Sequence, residues 1–198
     1  MARKTLISKE VILCTALQML IENGYSSINI KTLSQKIGCS TQPLVWHFEN
    51  MDGLRKALAE YALDYANEKM TPKEDIDIMP FEQVGNAYIK LALYEPNLFK
   101  FVFLNGSDCY PQGSVDMLTT GNSDIIKGIS AGFGISEENA AEYLQNTLIY
   151  THGVAAFVAT GMIRSSEAEI MDLINNTGDS FLIKAGVPAD KIPGHIKT

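Results

Sequence analysis

The sequence predicts an all-α chain: a short N-terminal three-helix segment containing a helix-turn-helix, followed by a larger helical body. Three observations carry this. Apolar residues recur at spacings of three and four along nearly the whole chain, as on one face of a helix. Strand-like alternation, internal repeats and low-complexity tracts do not occur. A glycine-centred break at 38–41 separates two short segments, each with its own apolar stripe.

The first helix is expected over 8–23. Ser8 caps it, Glu10 suits the positive end of its dipole and Gly24 stops it. Ile12, Ala16, Met19 and Leu20 form its stripe, widened by Leu13 and Leu17, and Tyr25 and Ile28 pack beneath the next two helices. The second helix, 30–37, is capped by Asn29 or Ser27, turns Ile30, Leu33 and Ile37 inward, and ends at Gly38. Ser40 supplies the cap of the third, 41–48, where Pro43 falls in the first turn and needs no N–H partner. Leu44 and Phe48 face inward. Thr41, Gln42, Val45, Trp46 and Glu49 face out. Two helices, a tight turn and a polar outer face on the second helix make the pattern of a DNA-reading helix-turn-helix, although the same unit also occurs as ordinary scaffolding.

The fourth helix, 51–70, is capped by Asn50 and carries a stripe of Leu54, Leu58, Tyr61 and Tyr65. A proline-flanked acidic loop, 71–80, follows. Helix 5 spans 81–94 and stops before Pro96. A short aromatic helix covers 97–104, and a turn-rich loop 105–113. Helix 7 is expected over 114–131, broken by Gly132 and Gly134. Helix 8 runs 136–163 from the Ser136 cap. Helix 9 starts at the Ser166–Glu169 capping box and ends at Gly186 and Pro188, with Ile170, Leu173, Ile174, Phe181 and Leu182 on its buried face. The domain boundary is placed at 50/51: residues 1–50 as the helix-turn-helix domain, 51–198 as the helical body, with helix 4 connecting them.

Charge divides the same way. The net charge is −7, yet residues 1–56 hold seven basic and four acidic side chains, leaving nine basic and nineteen acidic in the remainder. A basic head on an acidic body suits a protein that presents only its head to phosphates. Arg3 and Lys4 lie in a basic arm, 1–7. Cys14 and Cys39 sit in apolar helical contexts and read as buried thiols, and Cys109 is isolated, so neither a disulfide framework nor a metal site is expected. The start lacks the apolar core of a signal peptide, and the most apolar run, 147–163, is too short and interrupted for a membrane span. A cytoplasmic protein with no membrane association and no cofactor is expected. His47, His152 and His195 are scattered, with no nucleophile, phosphate loop or metal spacing beside them, which argues against an enzyme.

The run Gly24-Tyr25, Ile30…Leu33-Ser34…Ile37-Gly38-Cys39-Ser40, Leu44-Val45-Trp46-His47-Phe48 and Asn50…Leu54 resembles the TetR family of bacterial repressors. Gln42-Pro43 and Trp46-His47 resemble tetracycline-repressor-type recognition helices, with the Gln-Pro pair one position away from its usual place. Ala87–Ala92, Pro96–Phe99 and Phe103 are similar to the C-terminal domain of one TetR subgroup. The resemblance implies a C-terminal helical ligand-binding and dimerisation domain, a homodimer through helices 8 and 9, a double-stranded DNA operator and a small-molecule inducer. Two departures stand out: Met51 where the family commonly has a phosphate-binding lysine, and Val45 where it commonly has tyrosine. Leu148 likewise stands where many relatives of the subgroup have tryptophan.

The candidate DNA contacts are Lys31, Thr32, Ser40, Thr41, Gln42, Pro43, Val45, Trp46, His47 and Asn50. Gln42 can pair with an adenine edge, Thr41 can hydrogen-bond or touch a thymine methyl, and Pro43 and Val45 offer apolar contact. Trp46 either packs on backbone sugars or is half buried. Lys31 and Thr32 are placed for phosphates, and His47 matches a usual phosphate contact of the family. Candidate ligand contacts are Tyr88, Phe99, Phe103, Tyr143, Asn146, Tyr150 and His152, from an aromatic-rich stretch that equally suits a plain core. A distinct alternative is a ligand-binding or protein-interaction module whose helix-turn-helix is vestigial, which Met51 and Glu49 favour.

Overall fold

The computed structural model describes residues 7–72, 80–105 and 122–192. Every regular element among them is helical: α1 (Lys9–Asn23), α2 (Ile30–Ile37), α3 (Gln42–Phe48), α4 (Met51–Met70), α5 (Pro80–Tyr94), α6 (Pro96–Phe99) running into one π-helical turn (Lys100–Leu104), α7 (Ser123–Phe133), α8 (Glu137–Ala159) and α9 (Glu167–Lys184). The chain divides into two compact units. The first is Met1–Thr71 with Leu91–Pro111, and the second is Pro72–Lys90 with Gln112–Thr198. Helix α4 therefore packs within the first unit, while α5 contributes residues to both.

The first unit is built around α1, which packs against α2, α3, α4 and α6. Its six expected apolar residues are all buried, with Ile12, Ala16 and Leu20 completely so. Leu33, Leu44, Phe48, Leu54 and Leu58 close the core from the other helices. The caps are local. Ser8 Oγ accepts the Val11 N–H, and Asn29 Oδ1 accepts those of Lys31 and Thr32. Gly38 ends α2 in the left-handed conformation. From the far side, Asn97 Nδ2 donates to the Ile21 carbonyl at 3.1 Å, and Tyr25 stacks on Phe101 of the π-helical turn. Tyr25 thus packs on that turn, with only Ile28 fully buried beneath the helix-turn-helix.

The junction of α3 and α4 is the tightest point. Glu49 has φ +64°, the only non-glycine positive φ among the described residues. Asn50 then donates its N–H to the Phe48 carbonyl at 2.7 Å and caps α4 by accepting from Asp52 and Gly53. A Cβ on Gly53 would lie 2.1 Å from the Phe48 carbonyl oxygen, so only glycine lets α4 start this close to α3.

In the second unit α8 packs on α7 and α9. Ile129, Ala140, Tyr143, Leu144, Leu182, Ala185, Val187 and Ile192 form the core, with Phe81, Phe133 and Phe181 around it. Ser136 and Ser166 cap α8 and α9, the latter in a full capping box with Glu169, whose carboxyl is held below its ordinary range mainly by the Ser166 N–H. Asn139 Nδ2 ties α8 to the Ala185 carbonyl beyond α9.

Several sequence expectations are corrected. Thr41, not Ser40, holds the N-cap position of α3, and its side chain makes no capping hydrogen bond. The buried stripe of α4 turns from Leu54 and Leu58 onto Ala59, Ala62 and Ala66, leaving Tyr61 and Tyr65 half buried, because α4 lies close to α1 and the π-helical turn. Gly132 lies inside α7, which ends at the left-handed Gly134. Helix α8 ends at Ala159 rather than 163, where Gly161 takes φ +75°. In α9, Leu173 is exposed and Ile174 and Phe181 are half buried. Cys14 is exposed and Cys39 half buried, since both lie off the apolar stripes. The arm before Ile7, most of the two loops, the 114 start of helix 7, Cys109 and the last residues of the tail lie outside the described residues.

Gly53→Ala is expected to destabilise the fold by about 1–3 kcal/mol through overpacking. Gly128→Ala, in α7 with open space around it, is expected to stabilise by about 0.5–1 kcal/mol. Urea midpoints shifted in opposite directions would bear this out, and an unshifted Gly53→Ala midpoint would contradict it.

Candidate nucleic-acid interface

The outer face of α3 is presented by burial of its inner face. Leu44 and Phe48, four residues apart, are 1% and 5% exposed and lock the helix onto the core. The residues between them therefore point away. Ser40, Thr41 and Gln42 are exposed at the helix start, with Val45 46% and Trp46 69% exposed one turn on. Pro43 is half buried. The indole of Trp46 stands edge-on to His47, with ring centroids 4.6 Å apart. This settles Trp46 as a surface residue and brings polar and apolar reading groups onto one small face.

His47 has a different bond from the one its sequence suggests. Its Nε2 lies 2.9 Å from the Ile7 carbonyl oxygen, so Nε2 carries the proton and donates to the start of the chain. A phosphate could then be met only at Nδ1, which accepts while the ring is neutral and donates once it is protonated. Thr32 is likewise occupied. Its hydroxyl accepts the Asn29 N–H at 3.0 Å and lies 2.9 Å from the Ser27 carbonyl, inside the α2 capping box. Asn50 spends its side-chain oxygen on the α4 cap. Lys31 is exposed in the first turn of α2, with no ion-pair partner among the described residues. Lys9, Lys36 and Lys56 are also exposed in this unit. Glu49 projects a negative charge beside the face, and Met51 is half buried. Thus the structure gathers Ser40, Thr41, Gln42, Val45 and Trp46 on one exposed surface, and sets Thr32, Asn50 and the His47 Nε2 to structural work.

The seven candidate ligand residues do not form one group. Phe99 and Phe103 belong to the first unit, where Phe99 is completely buried and lies 5.1 Å from Phe103, centroid to centroid. Tyr88, Tyr143, Asn146, Tyr150 and His152 belong to the second. Tyr88 Oη and His152 Nδ1 are 2.7 Å apart. Tyr143 is buried between Phe81 and Phe133, each with its ring 6.4 Å away, and Tyr150 meets Phe181 edge-on. Asn146 is half buried on α8 between them. Burial pushes the Tyr143 phenol upward, with the charges of Glu82 and Asp179 adding to it. Burial also raises the Glu82 carboxyl, helped by Asp179. That acidic pair was missed in the sequence, because nothing local relates position 82 to position 179. Among the described residues no cluster of three or more His, Cys, Asp or Glu could hold a metal, and no helix is long and apolar enough to cross a membrane.

Comparison with known proteins agrees with this geometry. No family model matches the chain. The tetracycline repressor protein class C of Escherichia coli is 33% identical over 81 residues, which is 41% of this chain and 36% of that protein. The class G tetracycline repressor of Vibrio anguillarum is 29% identical over 89 residues, 45% of this chain and 42% of that protein. These matches span less than half the length of either relative. Among solved structures, TetR from Acinetobacter baumannii AYE aligns with a TM-score of 0.59 at 20% identity, and a variant of it in complex with minocycline with 0.56 at 19%. Each alignment covers 90% of this chain and 96% of the other. The all-α fold with an N-terminal helix-turn-helix is therefore that of the TetR repressors, and the resemblance in the sequence is borne out.

Burial lowers the His152 pKa below its ordinary value of 6.5. The unfolded chain then takes up the proton first on acidification. The stability contributed by the neutral ring is present above about pH 6.5 and is lost as pH falls through the depressed folded value. In His152→Gln the loss of stability between pH 7 and 5, followed by urea denaturation, is expected to be shallower. Identical slopes would remove His152 from the acid response.

Proposed function

We propose that this chain is a TetR-type transcriptional regulator: a non-enzymatic, cytoplasmic homodimer that represses from a palindromic operator and leaves it when a small molecule binds its helical body. The observation that carries this reading is the exposed outer face of α3, set on the fold of the tetracycline repressors. Gln42 reads an adenine edge, Thr41 and Ser40 hydrogen-bond beside it, and Val45 and Pro43 make apolar contact in the major groove. Trp46, so exposed, packs on backbone sugars, and Lys31 neutralises a phosphate.

Dimerisation is supported by apolar side chains left in solvent on and just beyond the last two long helices. Ile149, Phe157, Met162, Leu173 and Ile183 are between 42% and 73% exposed. A second copy covering α8 and α9 would bury them, and a two-fold axis would set the two reading heads about 34–36 Å apart, one helical turn of DNA.

Induction works by differential affinity: the ligand favours the state that fits DNA less well. The ligand contacts in this reading are Tyr88, Tyr143, Asn146, Tyr150 and His152, and minocycline, bound by the Acinetobacter relative, is the first probe. Helix α5 gives residues to both units, and Glu95 follows it directly. Glu95 is ion-paired with Lys69 and lies 3.5 Å from the Tyr65 hydroxyl, both on α4. A shift of α5 is thereby passed to the helix that starts against the reading head.

Selection of bound duplexes from a random DNA pool at two salt concentrations is expected to return a palindrome, bound more weakly at the higher salt. No enrichment by a folded dimer would favour the interaction-module reading, with Glu49 and Met51 as its cause. On the selected site Gln42→Ala should cost about 1–3 kcal/mol and relax base preference, whereas Lys31→Ala should weaken all duplexes alike and reduce the salt slope by about 1. Equal effects would refute these roles. Phe157→Glu is expected to yield a monomer by analytical ultracentrifugation, and an intact dimer would move the interface off α8.

A further inference from the structure

The first unit contains an open recess of about 740 Å³ that plays no part in the reading above. Its size falls within the roughly 300–1,000 Å³ of small-molecule sites. It is bordered by the turn between α1 and α2, by α4 and by the π-helical turn. Its ten lining residues include two cations, Arg55 and Lys100, and no carboxylate, in a chain whose net charge is −7. One wall is layered: the Arg55 guanidinium lies 5.1 Å over the Tyr25 ring, which stacks on Phe101 at 5.1 Å. Leu104 extends the apolar part, and Asn105 stands at its rim. Lys100 is half buried and makes no hydrogen bond or ion pair among the described residues.

We propose that this recess binds a small organic anion with a planar apolar body, its carboxylate or phosphate held by Lys100 and Arg55 and its flat face laid against Tyr25, Phe101 and Leu104. The chemistry follows from the lining. A half-buried ammonium without a counter-charge, facing a carboxylate-free cavity, favours an anion over a neutral or cationic guest. Arg55, held flat by the ring beneath it, is set to present its planar edge to two oxygens of one acid group. An inorganic ion alone would leave the aromatic wall wet, so the body of the guest must be apolar. The recess lies wholly within the first unit, so it is distinct from the inducer contacts assigned to the second. An occupant would touch the turn leading into α2 together with α4, and its binding energy would add to the stability of the head.

The test is isothermal titration calorimetry of the full chain, without DNA, using salicylate, phenyl phosphate, inorganic phosphate and the neutral salicylamide. Salicylate or phenyl phosphate is expected to bind one per chain with a Kd of about 1 mM or tighter. Inorganic phosphate and salicylamide should each bind at least about ten-fold more weakly, lacking the apolar body and the charge respectively. Lys100→Gln should weaken the organic anions about ten-fold while leaving the thermal midpoint without ligand unchanged, and Arg55→Lys should weaken them through loss of the planar contact. Absence of binding by both organic anions, equal binding of salicylamide, or undiminished affinity in Lys100→Gln would each overturn the assignment. Because no arm uses DNA or minocycline, failure here is separate from failure of the repressor reading.

Discussion

The reading head depends on one close approach, that of the Gly53 backbone to the Phe48 carbonyl. With no side chain at 53, α4 begins within a turn of the end of α3, and the three residues between have little freedom. Glu49 is driven into a left-handed conformation that a residue with a Cβ adopts only at a cost of about 1 kcal/mol or more. Asn50 meets that strain by closing the turn and capping the next helix at once. The result is that α3, only seven residues long and without a side-chain cap, needs no intrinsic helical stability. It is held by Leu44 and Phe48 beneath and by α4 behind. A helix so held can devote its outer surface to contacts that do nothing for folding.

The same economy governs the other end of α4. Its alanines let it lie close against α1 and the π-helical turn, and its last turns carry Tyr65 and Lys69 to Glu95. The salt bridge raises the Lys69 pKa, chiefly through the hydrogen bond to the carboxylate. The other carboxylate oxygen, Oε2, is buried and meets no donor among the described residues. An orphaned buried acceptor costs on the order of 1–3 kcal/mol, so this junction is held together with energy in reserve against it. A contact of that kind is easier to rearrange than one fully satisfied, which suits a position between a ligand-bearing helix and a reading head.

Helix starts were legible in the sequence because capping is a local matter of three or four residues. Ser8, Asn29, Asn50, Ser136 and Ser166 all cap where their side chains imply. Where two candidates stood side by side, as with Ser40 and Thr41, local chemistry could not choose between them. Helix ends were harder: Gly132 is tolerated inside α7, and only the path of the chain decides that Gly134 is the stop. Burial of α4 turned on tertiary approach, which favours alanine over tyrosine for reasons invisible in a stripe of apolar letters. The outer face of α3 was readable from periodicity alone. The partners of His47 and Thr32 were not, since each is satisfied by a backbone carbonyl whose position follows from the fold. The aromatic list for the body failed as a group because sequence proximity between Phe99 and Tyr88 says nothing about which compact unit each joins.

The chain has a single tryptophan, and it is Trp46, 69% exposed on the outer face of α3. All indole emission from this molecule therefore originates at the surface assigned to DNA. A water-exposed indole emits to the red and is readily quenched by small solutes, and covering it reverses both properties. Engagement of a duplex can thus be followed on unlabelled protein, in real time, with no contribution from the rest of the fold. A guest entering the body, or the recess beside Tyr25, would alter this light only by moving α3 itself, so the intrinsic spectrum separates occupancy from its transmission to the head.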